Sequence, residues 1–223
     1  TNVTKATLAL AAVARVDLAE AAATAGVTLR AFGLESTETG RVTDTMALSF
    51  SRSALDMQKF SDSMKFVAPV ASAAGFSVEE TTAVLGTLAN AGIDGSLAGT
   101  ALRRVFLELQ NSSSKLSKRL GGTVTNSAEL VEALQKLNKE GIDTAEMKEL
   151  VGMRAVSAFK ILLDGADDVA TLTKELDNAG GAAERMASVQ LDNLAGSMTI
   201  LKSATEGLGI ALFENFEVDI RNA

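Results

Sequence analysis

The chain has 223 residues and a formal net charge of −7 at pH 7, with one proline, eighteen glycines and no histidine, cysteine, tryptophan or tyrosine. Hydrophobic residues make up 47% and charged residues 22%, a composition that folds rather than one that stays disordered. The missing residue types exclude a Ser-His-Asp triad, a Cys-His nucleophile, a haem thiolate and zinc sites built from His and Cys.

The acidic balance argues against a general phosphate-backbone binder. Nine phenylalanines are the only aromatics, few for the stacking platforms of carbohydrate or single-stranded nucleic-acid sites. At this length a core can form without disulfide or metal, and the lack of cysteine fits any redox compartment. The chain starts at Thr1, not Met, with no basic region leading into an apolar run. It therefore reads as a piece of a longer chain with no legible targeting signal. The longest apolar stretch, Phe66 to Phe76, is interrupted by Pro69 and Ser72 and is too short to span a bilayer.

Helical spacing with cap signals dominates from one end to the other. Asp17 is an N-cap for a helix through Leu18, Ala22 and Leu29 towards Phe32, with Gly33 as its stop. Ser53 opens the next predicted helix, which carries Leu55, Phe60, Met64 and Val67. Pro69 lies inside that pattern and predicts a kink or break near Val67–Ala68. Gly75 ends it, and Ser77-Val78-Glu79-Glu80 is a capping box for the helix that follows.

Gly92 should close that helix, and Ile93-Asp94-Gly95 should turn the chain so that Ser96 caps a helix with Ala98, Leu102, Val105 and Leu109 on one face. After the polar tract 110–114, Lys115 to Leu120 forms a short helix before Gly121-Gly122. Thr123-Val124-Thr125 is the one credible β fragment, too short to anchor a sheet. Ser127 caps a helix carrying Leu130, Leu134 and Leu137, and Gly141 separates it from a helix beginning near Thr144. Met153 to Leu163 reads as an apolar helix ending at Gly165. Val169, Leu172 and Leu176 mark the next, closed by Gly180-Gly181.

The last helix is predicted from about Ala183 to Phe216. Leu191, Leu194, Met198, Leu201, Thr205, Leu208 and Leu212 step by three and four, a 3.5-residue seam. Small flanking residues such as Ala195, Ser197, Ala204, Gly209 and Ala211 suit close helix packing. Two readings stay open: a core helix of the same subunit, or a self-association seam. The expected architecture is all-α, a compact domain of about eight to ten helices ending in this long one. Residues 121–126 are the candidate border between a segment 1–120 and a segment 121–223.

No catalytic, cofactor or metal site emerges. Asp164-Gly165-Ala166-Asp167-Asp168 with Glu175 superficially matches a calcium loop, but Ala166 and Val169 stand where a ligand and a glycine are required. Those aspartates are better read as a helix start that complements the macrodipole. Gly207-Leu208-Gly209 is a lone GxG with Leu212 in place of the third glycine. Glu79 and Glu80 are adjacent, so they cannot face one another across a cleft as a glycosidase pair, and read as first-turn charges. Arg103-Arg104 with Lys115, Lys118 and Arg119 forms the basic concentration, either a solvated face or a contact for nucleic acid or an acidic partner.

One long block carries a family resemblance. It runs through Phe66-Val67-Ala68-Pro69-Val70-Ala71, Gly75-Phe76-Ser77-Val78-Glu79-Glu80-Thr81-Thr82-Ala83, Leu88-Ala89-Asn90-Ala91-Gly92-Ile93-Asp94-Gly95-Ser96 and Ala98-Gly99-Thr100-Ala101-Leu102-Arg103. The block resembles the core region of phage tail tape-measure proteins. Asp17 to Ala22, Ala31 to Leu34, Gly152-Met153-Arg154-Ala155 with Ala158, Phe159 and Leu162, and Leu191 to Ser197 are similar to the same family. Residues 120–143 match only loosely.

The resemblance implies a structural, non-enzymatic protein in the lumen of the tail tube that sets tail length and leaves at DNA ejection. Its implied partners are the tail tube protein, tail-tip or baseplate proteins, tail assembly chaperones and other copies of itself. It further implies host cytoplasm during assembly and membrane contact only during ejection. Its signature residues Pro69, Gly75, Gly92, Gly95, Ser96, Gly99, Thr100, Leu102 and Arg103 are expected to carry fold and assembly. A membrane-active or cell-wall-hydrolysing module of the same kind of machine is the alternative.

Overall fold

The computed structural model describes residues 2–193, 195, 197 and 198. Among them the chain is all-α, as expected. Its α-helices are α1 (Asn2–Ala14), α2 (Leu18–Ala31), α3 (Thr39–Arg52), α4 (Met57–Ala73), α5 (Val78–Asn90), α6 (Gly95–Gln110), α7 (Lys115–Leu120), α8 (Ser127–Glu140), α9 (Thr144–Val151), α10 (Val156–Asp164) and α11 (Ala166–Asp177). Residues 182–193 are also helical, and short 3-10 turns cover Ser36–Glu38 and Met153–Ala155.

Several caps sit where the residue types place them. The Glu20 amide donates to Asp17 at 2.8 Å. Ser77 and Glu80 form the reciprocal capping box, at 3.1 Å from the Glu80 amide to Ser77 and 2.7 Å from the Ser77 amide to the Glu80 carboxylate. Gly33, Gly75, Gly92, Gly121 and Gly141 all take positive φ after helix ends, a conformation that costs glycine little.

Other boundaries move by one to three residues. Ser53 does not open α4; its hydroxyl donates back to the Ser49 carbonyl at 2.8 Å and it closes α3. The N-cap of α4 is Asp56, which accepts from the Lys59 amide. Asp94 rather than Ser96 is the N-cap residue of α6, although its carboxylate pairs with Lys59 at 3.0 Å instead of capping. Asn126, not Ser127, caps α8 by accepting from the Glu129 amide. Met153 to Leu163 divides into a 3-10 turn and α10.

The helix α4 does not break at Pro69. Pro69 and Lys65, whose carbonyl loses its helical donor, both lie on the exposed side of α4. Water can therefore satisfy that carbonyl, and the helix continues. Thr123-Val124-Thr125 is not a strand either. The Val124 amide donates to the Leu109 carbonyl at 3.3 Å and the Thr125 amide to the Glu129 carboxylate at 2.7 Å.

One main buried core runs through nearly every helix, from Leu10 in α1 past Phe60, Phe106 and Phe159 to Ala183 and Ala187. The most extensive helix contact is α4 against α6. Lys59–Asp94 and Ser63–Gly95 contacts near their starts and the Phe76–Phe106 ring pair, centroids 4.5 Å apart, set the two helices side by side in the same direction. The returning connection between them is α5, itself buried on almost every side. Residues 182–193 are held to the domain where Asp44 of α3 accepts from the Gly181 and Ala183 amides.

Candidate functional site

The residues of the family-like block gather on α4, α5 and α6, where they do two different things. Gly99, Leu102 and Gly75 are packing positions. A Cβ on Gly99 would stand 2.4 Å from the Ser63 carbonyl oxygen, and Leu102 is fully buried. A Cβ on Gly75 would reach 3.0 Å from the Thr125 carbonyl oxygen, so this turn also touches the loop before α8. Gly92 and Gly95 carry positive φ at the two ends of the turn into α6. Pro69, Ser96, Thr100 and Arg103 are exposed. The last three step by four and three along α6 and so share one side of it.

That exposed side continues into a groove that sequence order conceals. Thr100, Arg103, Arg104 and Leu107 of α6 face residues 151–155, around a space of about 380 Å³. Thus Gly152-Met153-Arg154-Ala155 and the end of the main block, separated by roughly fifty positions of sequence, form one surface. Gly152, with φ 78°, makes the bend that permits it. The remaining basic residues are not part of this surface. Lys115 pairs with Glu149 at 2.9 Å, and Arg119 with Glu140 at 2.6 Å and Glu146 at 3.0 Å. These ion pairs bind α7 to α8 and α9, which argues against a phosphate-binding stripe.

The strongest electrostatic arrangement lies elsewhere. Glu79 belongs to the first turn of α5 but is buried, only 4% exposed. Arg41 of α3 meets it in a fork, Nε to Oε1 and the second guanidinium nitrogen to Oε2, both at 2.7 Å. Thr45 also donates to it at 3.2 Å. Burial pushes the Glu79 carboxyl up, but the hydrogen bonds and charge of Arg41, a backbone amide and Thr45 outweigh it and hold the group below its ordinary value. The Arg41 guanidinium is raised in turn, chiefly by its hydrogen bond to Glu79 and against the effect of burial.

Beside this pair, a cavity of about 350 Å³ is lined by Asp44, Thr45, Ser77 and Asp177 among others. Asp177 is pushed up, first by burial and then by the charges of Glu79 and Glu80. Glu80 is doubly engaged: one oxygen closes the capping box, and the other accepts the Ser127 amide of α8 at 2.7 Å. Both glutamates are therefore locking groups, Glu79 between α3 and α5 and Glu80 between α5 and α8. Residue type and position identify Glu80 as part of a capping box. Nothing in the sequence pattern points to Arg41 as the partner of Glu79.

The calcium-loop aspartates follow the helix-start reading. Asp167 and Asp168 occupy the first turn of α11, where Asp167 accepts from Gln135, and Asp164 pairs with Lys160. Among the described residues no group of three or more metal-capable side chains gathers, and no helix is long and apolar enough to cross a membrane. Gly207-Leu208-Gly209 lies outside the described residues. Of the predicted seam, Leu191 and Met198 are described and are 57% and 59% exposed. Leu194, Leu201, Thr205, Leu208 and Leu212 lie outside the described residues.

Comparison with known proteins places the chain. The sequence pattern of the family described as phage-related minor tail protein matches residues 1–124. The tape measure protein of Pneumococcus phage Dp-1 is 32% identical over 225 residues, covering 94% of this chain and 20% of that protein. The probable tape measure protein of Escherichia phage P2 is 31% identical over 208 residues, covering 86% of this chain and 26% of that protein. The chain thus spans about a fifth to a quarter of the length of these relatives. No solved structure matches it significantly. With more than half of its length matched by that pattern, and the block that carries the likeness forming its α4–α6 core, the chain belongs to the phage-related minor tail protein family.

Proposed function

We propose that the chain is a globular helical module of a phage tail tape measure, structural and non-enzymatic, within the lumen of the tail tube. The observation that carries this reading is the likeness to two proteins named as tape measures across nearly the whole chain. The use of the block residues supports it: Gly99, Leu102 and Gly75 pack helices together, and none contributes to a reactive group. In this reading the parent protein sets tail length while tube subunits assemble around it, and is released when DNA is ejected. Its partners are the tail tube protein, tail-tip or baseplate proteins, tail assembly chaperones and further copies of itself. It meets the chaperones in the host cytoplasm and the other tail proteins in the virion.

Leu191 to Leu212 then forms a seam between copies. The exposure of Leu191 and Met198 favours that reading over a core helix. We also propose that segments 1–120 and 121–223 are distinct sequence segments of the module that fold around one shared core. The family pattern supports this division, because its match stops at residue 124, inside the proposed border 121–126.

The decisive experiment is electron microscopy of virions whose gene for this chain carries in-frame insertions in a helical region. Tails should lengthen by up to about 1.5 Å per inserted helical residue. Antibody against the chain should label opened, filled tails and not tails that have ejected their DNA. Unchanged tail lengths would overturn the ruler role, and label persisting on emptied tails would overturn release.

A further inference from the structure

Helix 182–193 is lightly anchored for its length. The residues it buries are Ala182, Ala183 and Ala187, each offering one methyl group, with Met186 half-buried against the core. By contrast, α8 buries Leu130, Leu134 and Leu137, and α10 buries Phe159, Leu162 and Leu163. Val189 and Leu191 of helix 182–193 stand 60% and 57% exposed. Lys5 pairs with Glu184 at 2.6 Å on the open surface, and Gln190 reaches the Val13 carbonyl at 3.5 Å, so this helix lies along α1 in the same direction. An exposed ion pair of that kind stabilises little.

The strong attachment is one carboxylate. Asp44 of α3 accepts from the Gly181 amide at 2.7 Å and from the Ala183 amide at 2.9 Å. Open space lies on both sides of it: the cavity of about 350 Å³ towards Arg41 and Asp177, and a second of about 220 Å³ towards Asn2 and Lys5, each lined in part by Asp44. The chain enters the helix through Gly180-Gly181. Gly181 holds φ 74°, and a Cβ on Gly180 would meet nothing within 4 Å. Packing therefore does not require glycine at position 180, and backbone freedom is what it supplies. We propose that Gly180-Gly181 is a hinge and Asp44 its latch, so that helix 182–193 opens from the domain as a unit while α1 to α11 stay folded. Opening lets the domain turn relative to the helix that carries Leu191. The device does not depend on the tape-measure reading, since it rests only on how this helix is held.

The test is hydrogen–deuterium exchange on the full chain. In the wild type, residues 184–193 should exchange through an opening that leaves α4, α5 and α6 protected. Asp44→Ala should raise exchange in that helix about tenfold, the size expected when charge-assisted hydrogen bonds are lost, with α4 to α6 unchanged. Lys5→Cys/Glu184→Cys places two thiols where those side chains meet, in a chain with no cysteine of its own. Joining them with a short dimaleimide should cancel the effect of Asp44→Ala. Equal acceleration in α4 to α6 would overturn the proposal, since Asp44 would then support the whole fold. So would unchanged exchange in residues 184–193, or acceleration that the tether fails to suppress.

Discussion

The backbone of Ser63 occupies the space where Gly99 would carry a side chain: a Cβ there would lie 2.4 Å from the Ser63 carbonyl oxygen and 2.9 Å from its Cα. The Ser63 hydroxyl completes the contact by donating to the Gly95 carbonyl at 2.8 Å. Two helices touch backbone to backbone at this point, and backbone cannot give way as the tip of a flexible side chain can.

Gly99→Ala should therefore destabilise the domain by about 1–3 kcal/mol, the usual cost of overpacking. Gly26, in the middle of α2, meets only the end of the Arg30 side chain at 3.6 Å. There the same substitution should stabilise by about 0.5–1 kcal/mol through helix propensity. Thermal melts of the two variants should move in opposite directions.

Pro69 is exposed within α4 and contributes no amide to it. Pro69→Ala restores the donor to the Lys65 carbonyl and removes the ring from the preceding turn. Stability should rise by about 1–3 kcal/mol, less whatever the proline gained by stiffening the unfolded chain. Urea unfolding should show a higher midpoint with an unchanged slope.

Arg41→Ala strands the Glu79 carboxylate in a buried position and should cost about 2–3 kcal/mol at neutral pH. The wild-type pair has a definite pH signature. Because the folded-state value of Glu79 is depressed, its stabilisation is fully present above the unfolded value of about 4.3 and is lost as pH falls through the lower folded value. The stability difference between wild type and Arg41→Ala should thus shrink on acidification, as read by unfolding midpoints across that range.

Glu80→Ala should cost more than Ser77→Ala, about 2 against about 1 kcal/mol. The serine hydroxyl accepts from one amide, whereas the glutamate carboxylate accepts from the amides of both Ser77 and Ser127. Faster amide exchange at the start of α8 should accompany Glu80→Ala and be absent in Ser77→Ala.

Leu191→Asp should change stability by no more than about 0.5 kcal/mol, as at other exposed positions. If the seam joins copies, the same variant should shift sedimentation towards the monomer. An unchanged association state would count against the seam.

Much of the fold is legible because its signals are local. Capping boxes, positive-φ glycines and spaced leucines act within one helical turn, and Asp17, Ser77, Gly92 and Leu130 behave accordingly. The helix α3 escapes that reading, because hydroxyl residues fill its core face. Thr43, Thr45 and Ser49 are buried and donate back to carbonyls of their own helix, at 2.9, 2.9 and 2.8 Å, so a polar letter stands for a buried position. Caps displaced to Asp56, Asp94 and Asn126 show the same limit: several candidate residues flank each helix start, the Ser53 hydroxyl is taken up by its own helix, and tertiary contacts (Lys59 with Asp94, Glu80 with the Ser127 amide) engage the starts of α6 and α8.

By itself, the sequence determined the all-helical class, the absence of the commonest catalytic residue types and the block that marks the family. All three depend on composition and on spacing along one chain. Only the tertiary structure decided that α4 and α6 meet backbone to backbone, that Arg41 neutralises Glu79 from 38 positions away, and that residues 151–155 complete the groove beside Arg103. Those contacts join segments distant in sequence, and their energies come from close packing and from ions paired away from water. No local pattern records either.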